Sequence, residues 1–277
     1  MGRTIVEQTS PLRLLCVLAH PDDESMGAGG LLALSAADGV ETYLLTATRG
    51  ERGWGGPPAE HPGLEALGRL REGELRAAAA VLGVRAVSFL DFIDGDLDQA
   101  EPAVAIARLV GHLRRLRPQV VVTIPPDGYY GHPDHIAISQ FTSAALVCAA
   151  DAAYADPAGQ APHRVAKFYF SVDTAPVVAL FEAVAGGPIT MEVDGQTRRQ
   201  VGWPEWSITT RLDASAHWRT VVRAIGCHRS QLGGFPDLAG LPDETNLALW
   251  GYPTLYRVFS LVNSGRALET DVFAGLR

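Results

Sequence analysis

The side chains with the most chemistry to offer fall in two short pieces of chain, His20-Pro21-Asp22-Asp23-Glu24 and His132-Pro133-Asp134-His135. His20 and Asp23 stand three apart across a corner whose proline forbids simple continuation of a strand, so both can face one point. His132 and His135 repeat that interval at the start of a helix, where residues three apart share a face. At least one of these imidazoles can therefore reach the same point. Two histidines and one carboxylate are a common catalytic set for Zn²⁺, with a position left open for water. Asp22 is then left beside the cation and not on it. A free carboxylate next to water acidified toward a pKa of ~7 is what a hydrolase needs as general base.

The elements that must hold these corners are legible around them. Leu14-Leu15-Cys16-Val17-Leu18-Ala19 is an apolar run of buried-strand length, and helical pattern runs from about Met26 to Asp38. The first corner thus sits at the carboxyl end of a first strand, where open α/β sheets bind ligands. Further strands are predicted at Thr42 to Thr48, Ala86 to Leu90 and Val120 to Ile124, and the last delivers Pro125 to Tyr130 to the second histidine motif. Helical stripes follow, one through Leu75, Ala78, Ala79 and Leu82, another from Pro102 through Leu116 with Arg114, Arg115 and Arg117 as solvated residues at its negative end. Four strands each followed by a helix argue for a Rossmann-like, doubly wound, mostly parallel sheet with helices on both faces. The glycine- and proline-rich loop from Arg49 to Pro58 is either a lid or substrate wall, or an inert surface loop.

Past Asp151 the pattern changes, with a strand at Val165 to Val172 and a hairpin over Ile189 to Gln196 signalled by Asp194-Gly195. A helix at about Ala214 to His228 and a strand at about Leu255 to Val262 follow. Trp203 and Trp206 are read as packing residues, with sugar stacking as their other possible role. Residues 1–277 read as a single domain, with an α/β core over 12–150 that carries the metal site and a C-terminal lobe over 151–277 that carries the hairpin and part of the substrate pocket. Residues 1 to 11 are expected to form a loose or docked arm.

The paired motifs resemble those of the PIG-L/LmbE-like zinc de-N-acetylases, a family that includes N-acetylglucosaminyl-inositol deacetylases and thiol-conjugate amidases. The resemblance covers most of residues 12 to 150 and, more loosely, Cys227-His228-Arg229-Ser230-Gln231. It implies His20, Asp23 and His135 as metal ligands and Asp22 as general base. It also implies a protonated His132 that stabilises the oxyanion, oriented and charged by Asp134, with the Tyr130 hydroxyl as a further donor and Tyr129 as its rival for that role. Arg71 matches a pocket-lining arginine, its alternative being a pair with Glu74 one turn away. Asp94 of Asp94-Gly95 is expected near the sugar, and His228 and Gln231 either reach the pocket from the carboxyl end or only decorate a helix end.

The implied reaction is removal of an N-acetyl or other N-acyl group from an amino-sugar conjugate by a zinc-dependent N-deacetylase. A thiol S-conjugate amidase is the alternative on the same centre. The donor set also fits Fe²⁺ or another divalent metal, so a 2-His-1-carboxylate iron oxygenase and a metal-dependent sugar-binding module without turnover are the competing classes. The spare acid favours hydrolysis.

Composition is consistent with a small-molecule enzyme. Across 277 residues, 47% are hydrophobic and 19% charged, the balance of a soluble globular chain. A formal charge of −8 argues against a nucleic-acid or anionic-membrane partner. Cys16, Cys148 and Cys227 are odd in number and widely spaced, which points to core thiols and not to a disulfide framework. No apolar run reaches membrane-spanning length and no signal-peptide pattern opens the chain, so a cytoplasmic location is expected. The partner expected is an N-acetylated amino-sugar small molecule; a homo-oligomer is compatible with the sequence.

Overall fold

Alternating strand and helix signals become alternating strands and helices in the computed structural model, which describes residues 11–234 and 238–277. The arm expected over residues 1 to 11 lies, but for its last residue, outside the described part. In chain order the strands are β1 (Arg13–Leu18), β2 (Glu41–Thr46), β3 (Ala86–Phe89), β4 (Val120–Thr123), β5 (Lys167–Val172), β6 (Thr190–Val193), β7 (Gln196–Arg199), β8 (Thr210–Arg211) and β9 (Thr254–Ser260). The helices are α1 (Asp23–Met26), α2 (Gly29–Ala37), α3 (Leu64–Val81), α4 (Pro102–Leu116), α5 (Gly128–Gly131), α6 (Pro133–Ala150), α7 (Ala175–Ala185), α8 (Trp218–Ile225) and α9 (Asp243–Trp250).

Seven strands form one mixed sheet in the order β3-β2-β1-β4-β5-β9-β8, parallel from β3 to β5 and antiparallel beyond. The strand order reverses between β1 and β4, so right-handed crossovers send α2 and α3 to one face and α4 and α6 to the other. α4 packs on α6, and α2 and α3 both pack on α8. The fold is thus the doubly wound α/β arrangement the sequence predicts, and the 190–199 hairpin forms a separate two-stranded sheet. Leu14 to Leu18 and Val120 to Val122 are almost wholly buried, as strands covered on both faces must be. Each such side chain contributes roughly 1.5–3 kcal/mol of burial free energy.

Several details depart from the sequence reading. The helix expected from Met26 to Asp38 is two pieces, broken at Ala28, whose φ of −134 is not helical, next to Gly27, where a Cβ would lie 2.9 Å from Tyr129 Oη. Arg114 is not solvated. It is 4% exposed and donates to the carbonyls of Cys148, Ala149, Asp151 and Tyr154, satisfying the end of α6, whose terminal carbonyls lack helical partners. Trp203 packs on Tyr256 and donates to Asp127, but Trp206 is 88% exposed on the one-turn helix that follows Pro204. Neither α7 nor α9 is in the sequence reading, although each opens beside a proline, Pro176 and Pro242. Together with α8 they build a second apolar cluster around Trp218, Val221, Ile225, Leu249 and Trp250.

Candidate metal centre

β1 ends one residue before Ala19, and the chain turns at His20-Pro21 directly outside the carboxyl edge of the sheet, at the point where strand order reverses. Asp23 Oδ2 accepts the backbone N–H groups of Ala19 at 3.1 Å and His20 at 2.8 Å, which closes the corner and turns the carboxylate inward. From the neighbouring β4, the 125–132 segment leads into α6, whose first turn presents His135 to the same point. His20 Nδ1 lies 3.2 Å from His135 Nε2, and Asp23 lies 3.3 Å from His135 Nε2 and 3.9 Å from His20 Nδ1. One ligand atom from each of the three falls within 4.8 Å of the others.

The surroundings fit a divalent cation. His20 Nε2 faces Asp134 Oδ2 and Asp94 Oδ1, both at 3.1 Å, so its proton belongs there and the Nδ1 lone pair is left for the centre. His135 offers Nε2, while its buried Nδ1 has no protein partner among the described residues. Without a cation the group is an ion cluster. Burial works against charge on His20, but Asp134, Asp94 and Asp23 outweigh it and push its pKa up to about 10. Burial likewise opposes the charge on Asp23, and the two histidines more than offset that, holding its carboxyl well below the usual range.

Asp22 stands apart from this trio. Its backbone takes φ 106, a conformation rare for any residue but glycine. It is clamped there by its own N–H to Glu24 Oε2 at 3.0 Å and by Arg71 Nη2 to its Oδ2 at 3.0 Å. Burial and the neighbouring Asp23 raise its pKa to about 6 against the pull of Arg71.

The second histidine motif is wired differently from the expectation. Asp134 does not hold His132 through its carboxylate. That carboxylate accepts Gly95 N at 2.7 Å and Leu97 N at 3.1 Å as well as His20, because the 95–97 turn aims two backbone donors at it. It is the Asp134 backbone N–H that donates to His132 Nδ1, at 3.1 Å, leaving Nε2 to carry the hydrogen. Burial and the charges of His20 and His135 lower the His132 pKa to about 4, against the pull of Asp134 and Asp23. Tyr130 lies beside both histidines, 6.0 Å from the His132 ring and 5.6 Å from that of His135. Tyr129 is also close, 6.0 Å from the His135 ring, and burial raises both phenols.

Arg71, Asp94, His228 and Gln231, expected to touch substrate, are each bonded to other protein groups and are not among the residues lining the cavity over Asp22, Asp23 and His135. Arg71 does not pair with Glu74. Its guanidinium donates to Pro21 O, Gly50 O and Asp22, while Glu74 accepts Ser230. Asp94 is committed to His20 and to Arg52 N. His228 Nε2 lies 2.7 Å from Glu24 Oε1, and Gln231 donates to Gly53 O at 2.8 Å, which pins the 49–63 loop in place. The cavity that opens on Asp22, Asp23 and His135 is walled instead by Tyr129, Tyr130 and residues that sequence reasoning missed, among them Met26, Asp173, Phe181, Gln200 and Trp250. The proline opening α7 and the apolar spacing of Val177, Val178 and Phe181 were the available signal for that wall.

A doubly wound sheet with a two-histidine, one-carboxylate group and a further acid at its switch point defines an α/β protein with a candidate divalent-metal site. Residues 15–146 match the family model described as PIG-L, GlcNAc-PI de-N-acetylase. The chain is 33% identical over 298 residues to the 1D-myo-inositol 2-acetamido-2-deoxy-alpha-D-glucopyranoside deacetylase of Mycolicibacterium gilvum (strain PYR-GCK), covering 95% of this chain and 98% of that one. It is 37% identical over 301 residues to the protein of the same name from Thermobispora bispora, again covering 95% and 98%. Among solved structures, the conserved protein TT1542 from Thermus thermophilus superposes with a TM-score of 0.63 at 26% identity, over 91% of this chain and 97% of that one. The chain belongs to the PIG-L/LmbE-like de-N-acetylase family.

Proposed function

We propose that this protein is a zinc-dependent N-deacetylase that hydrolyses the acetamide of an N-acetylglucosaminyl conjugate, with a glucosaminyl-inositol of the kind named for its relatives as the first candidate substrate. The observation that carries this reading is the convergence of His20, Asp23 and His135, with Asp22, Asp23 and His135 on the wall of one cavity. His20, Asp23 and His135 would hold the ion. A dication bound there supplies a polarised carbonyl and a more acidic attacking water.

The chain's own groups do the rest. Arg71 occupies Asp22 Oδ2, so Oδ1 is the oxygen that accepts the water proton and later returns it to the departing nitrogen. The products are a carboxylate and a free amine. His132, with its hydrogen on Nε2, is a neutral donor to the carbonyl oxygen as charge builds on it, and the Tyr130 hydroxyl is a second. Such donors are worth about 3 kcal/mol each where water is excluded. Asp134 and Asp94 set the His20 tautomer. Arg71 and Glu24 hold Asp22, and His228 holds Glu24. No helix among the described residues is long and apolar enough to cross a membrane.

The test is amine release from acetylated amino sugars by protein loaded with Zn²⁺, and with Fe²⁺ for comparison. Absence of hydrolysis across glucosaminyl-inositol, chitin-fragment and thiol-conjugate substrates overturns the reading.

A further inference from the structure

The cavity beside the centre is larger and more apolar than an acetyl group requires. It encloses about 190 Å³. An apolar cavity of roughly 150 Å³ is enough to take up benzene. One end is formed by Asp22, Asp23 and His135, and the remainder largely by Met26, Val178, Phe181, Ile189, Leu249 and Trp250. This wall is firm. Leu249 and Trp250 belong to the second apolar cluster, with Met26 and Phe181 packed against it, and the Phe181 and Trp250 rings meet edge to face at 6.2 Å. Ile189 comes from the segment leading into the hairpin, and Asp173, held by Gln200 Nε2 at 2.9 Å, is the acidic lining residue away from the Asp22–Asp23–His135 end. Sugar hydroxyls gain nothing from such a surface, whereas an alkyl or aryl group gains up to roughly fourfold in affinity per methylene buried.

We propose that this chamber binds an apolar portion of the substrate, a chain of several carbons or a ring of benzene size, carried by the amino sugar either as its N-acyl chain or on its anomeric oxygen. The proposal rests on the deacetylase reading and deepens it: the enzyme selects a lipophilic conjugate. Asp173 adds a second criterion, since a carboxylate there repels an anionic tail.

Two substrate series separate the sources. One is glucosamine carrying acetyl, butanoyl and hexanoyl amides; the other is N-acetylglucosamine carrying methyl, butyl and phenyl groups on the anomeric oxygen. A rise of at least tenfold in kcat/KM from first to last member of the acyl series assigns the chamber to the acyl chain, and the same rise in the glycoside series assigns it to the anomeric group. Flat profiles in both, with the acetyl compounds hydrolysed, overturn the proposal and leave the deacetylase reading intact. Val178→Trp, or Leu249→Phe should that variant fail to fold, is expected to lower the long-to-short ratio at least tenfold; an unchanged ratio in the folded variant overturns it. If none of these sugars is hydrolysed, calorimetry of phenyl N-acetylglucosaminide against its methyl analogue still decides the chamber, and equal affinities count against it.

Discussion

Arg71 reaches Asp22 Oδ2 at 3.0 Å and Pro21 O at 2.5 Å with the same Nη2, gripping the spare acid by side chain and backbone together. The arginine side chain is only 4% exposed, and Nη1 is tied to Gly50 O at 2.8 Å. A residue at φ 106 stays there only when its neighbours over-determine it. The arginine is therefore a positioning residue for Asp22.

Replacing Arg71 by lysine keeps the charge and loses the planar fork. We expect kcat to fall at least ~10-fold, KM to change little and bound metal to stay at one equivalent. Steady-state kinetics with metal analysis of the same samples checks this, and a change confined to KM would instead make Arg71 a substrate contact.

Asp22→Asn preserves shape and removes the proton acceptor. Its kcat should fall by ~10²–10⁴ with metal content unaltered. Retained turnover would reassign the base.

Metal content itself is the check on the ligand set. His135→Ala and Asp23→Ala should each purify without stoichiometric zinc, while His132→Ala should keep it. Because His20 has a pKa of about 10 in the ion-free cluster, it is protonated at pH 7, and an incoming cation must displace that proton. Calorimetric titration with Zn²⁺ in two buffers of different ionisation enthalpy should report about one proton released per ion bound.

Activity should also carry the titration of Asp22. A base with a pKa raised to about 6 is ionised above that value and lost as pH falls through it, so kcat/KM declines on the acid side. A bound dication favours the ionised form and moves the limb below 6. An acid limb well above 6 would exclude Asp22 as its source.

Away from the site, the fully buried Lys167 Nζ lies 2.7 Å from Glu269 Oε1, and Tyr169, Thr210, Arg257 and Asn263 all donate to the same carboxylate. Lys167→Met leaves that carboxylate short of a charge partner and should cost about 3 kcal/mol at pH 7. Although burial opposes its charge, the bonds to Lys167, Asn263 and Tyr169 lower the Glu269 pKa to about 2 from 4.5. The stabilisation is thus complete above pH 4.5 and lost as pH falls toward 2. Denaturation at pH 7 and pH 3 should show the gap between wild type and variant narrowing at the lower pH.

The amino-acid sequence alone settled what is local or periodic. His20 and Asp23 are joined by one proline corner, and His132 and His135 by one helical turn, so short-range geometry fixes how each pair can point. Burial on both faces makes β1 and β4 continuous apolar runs, so the centre of the sheet and its switch point were legible too. Tertiary structure decided everything that depends on which distant group arrives. The Asp134 carboxylate is met by backbone donors of Gly95 and Leu97, some forty residues away, and bonds His20 and not His132. His228 meets Glu24 across 204 residues, and Arg71 meets Asp22 across 49. The apolar chamber is assembled from α1, α7, α9 and the segment before the hairpin, and no single stretch of chain holds more than a fragment of it. Apolar residues on a helix read alike whether they will pack against a neighbour or line an opening, because the difference lies in what is left unfilled between them.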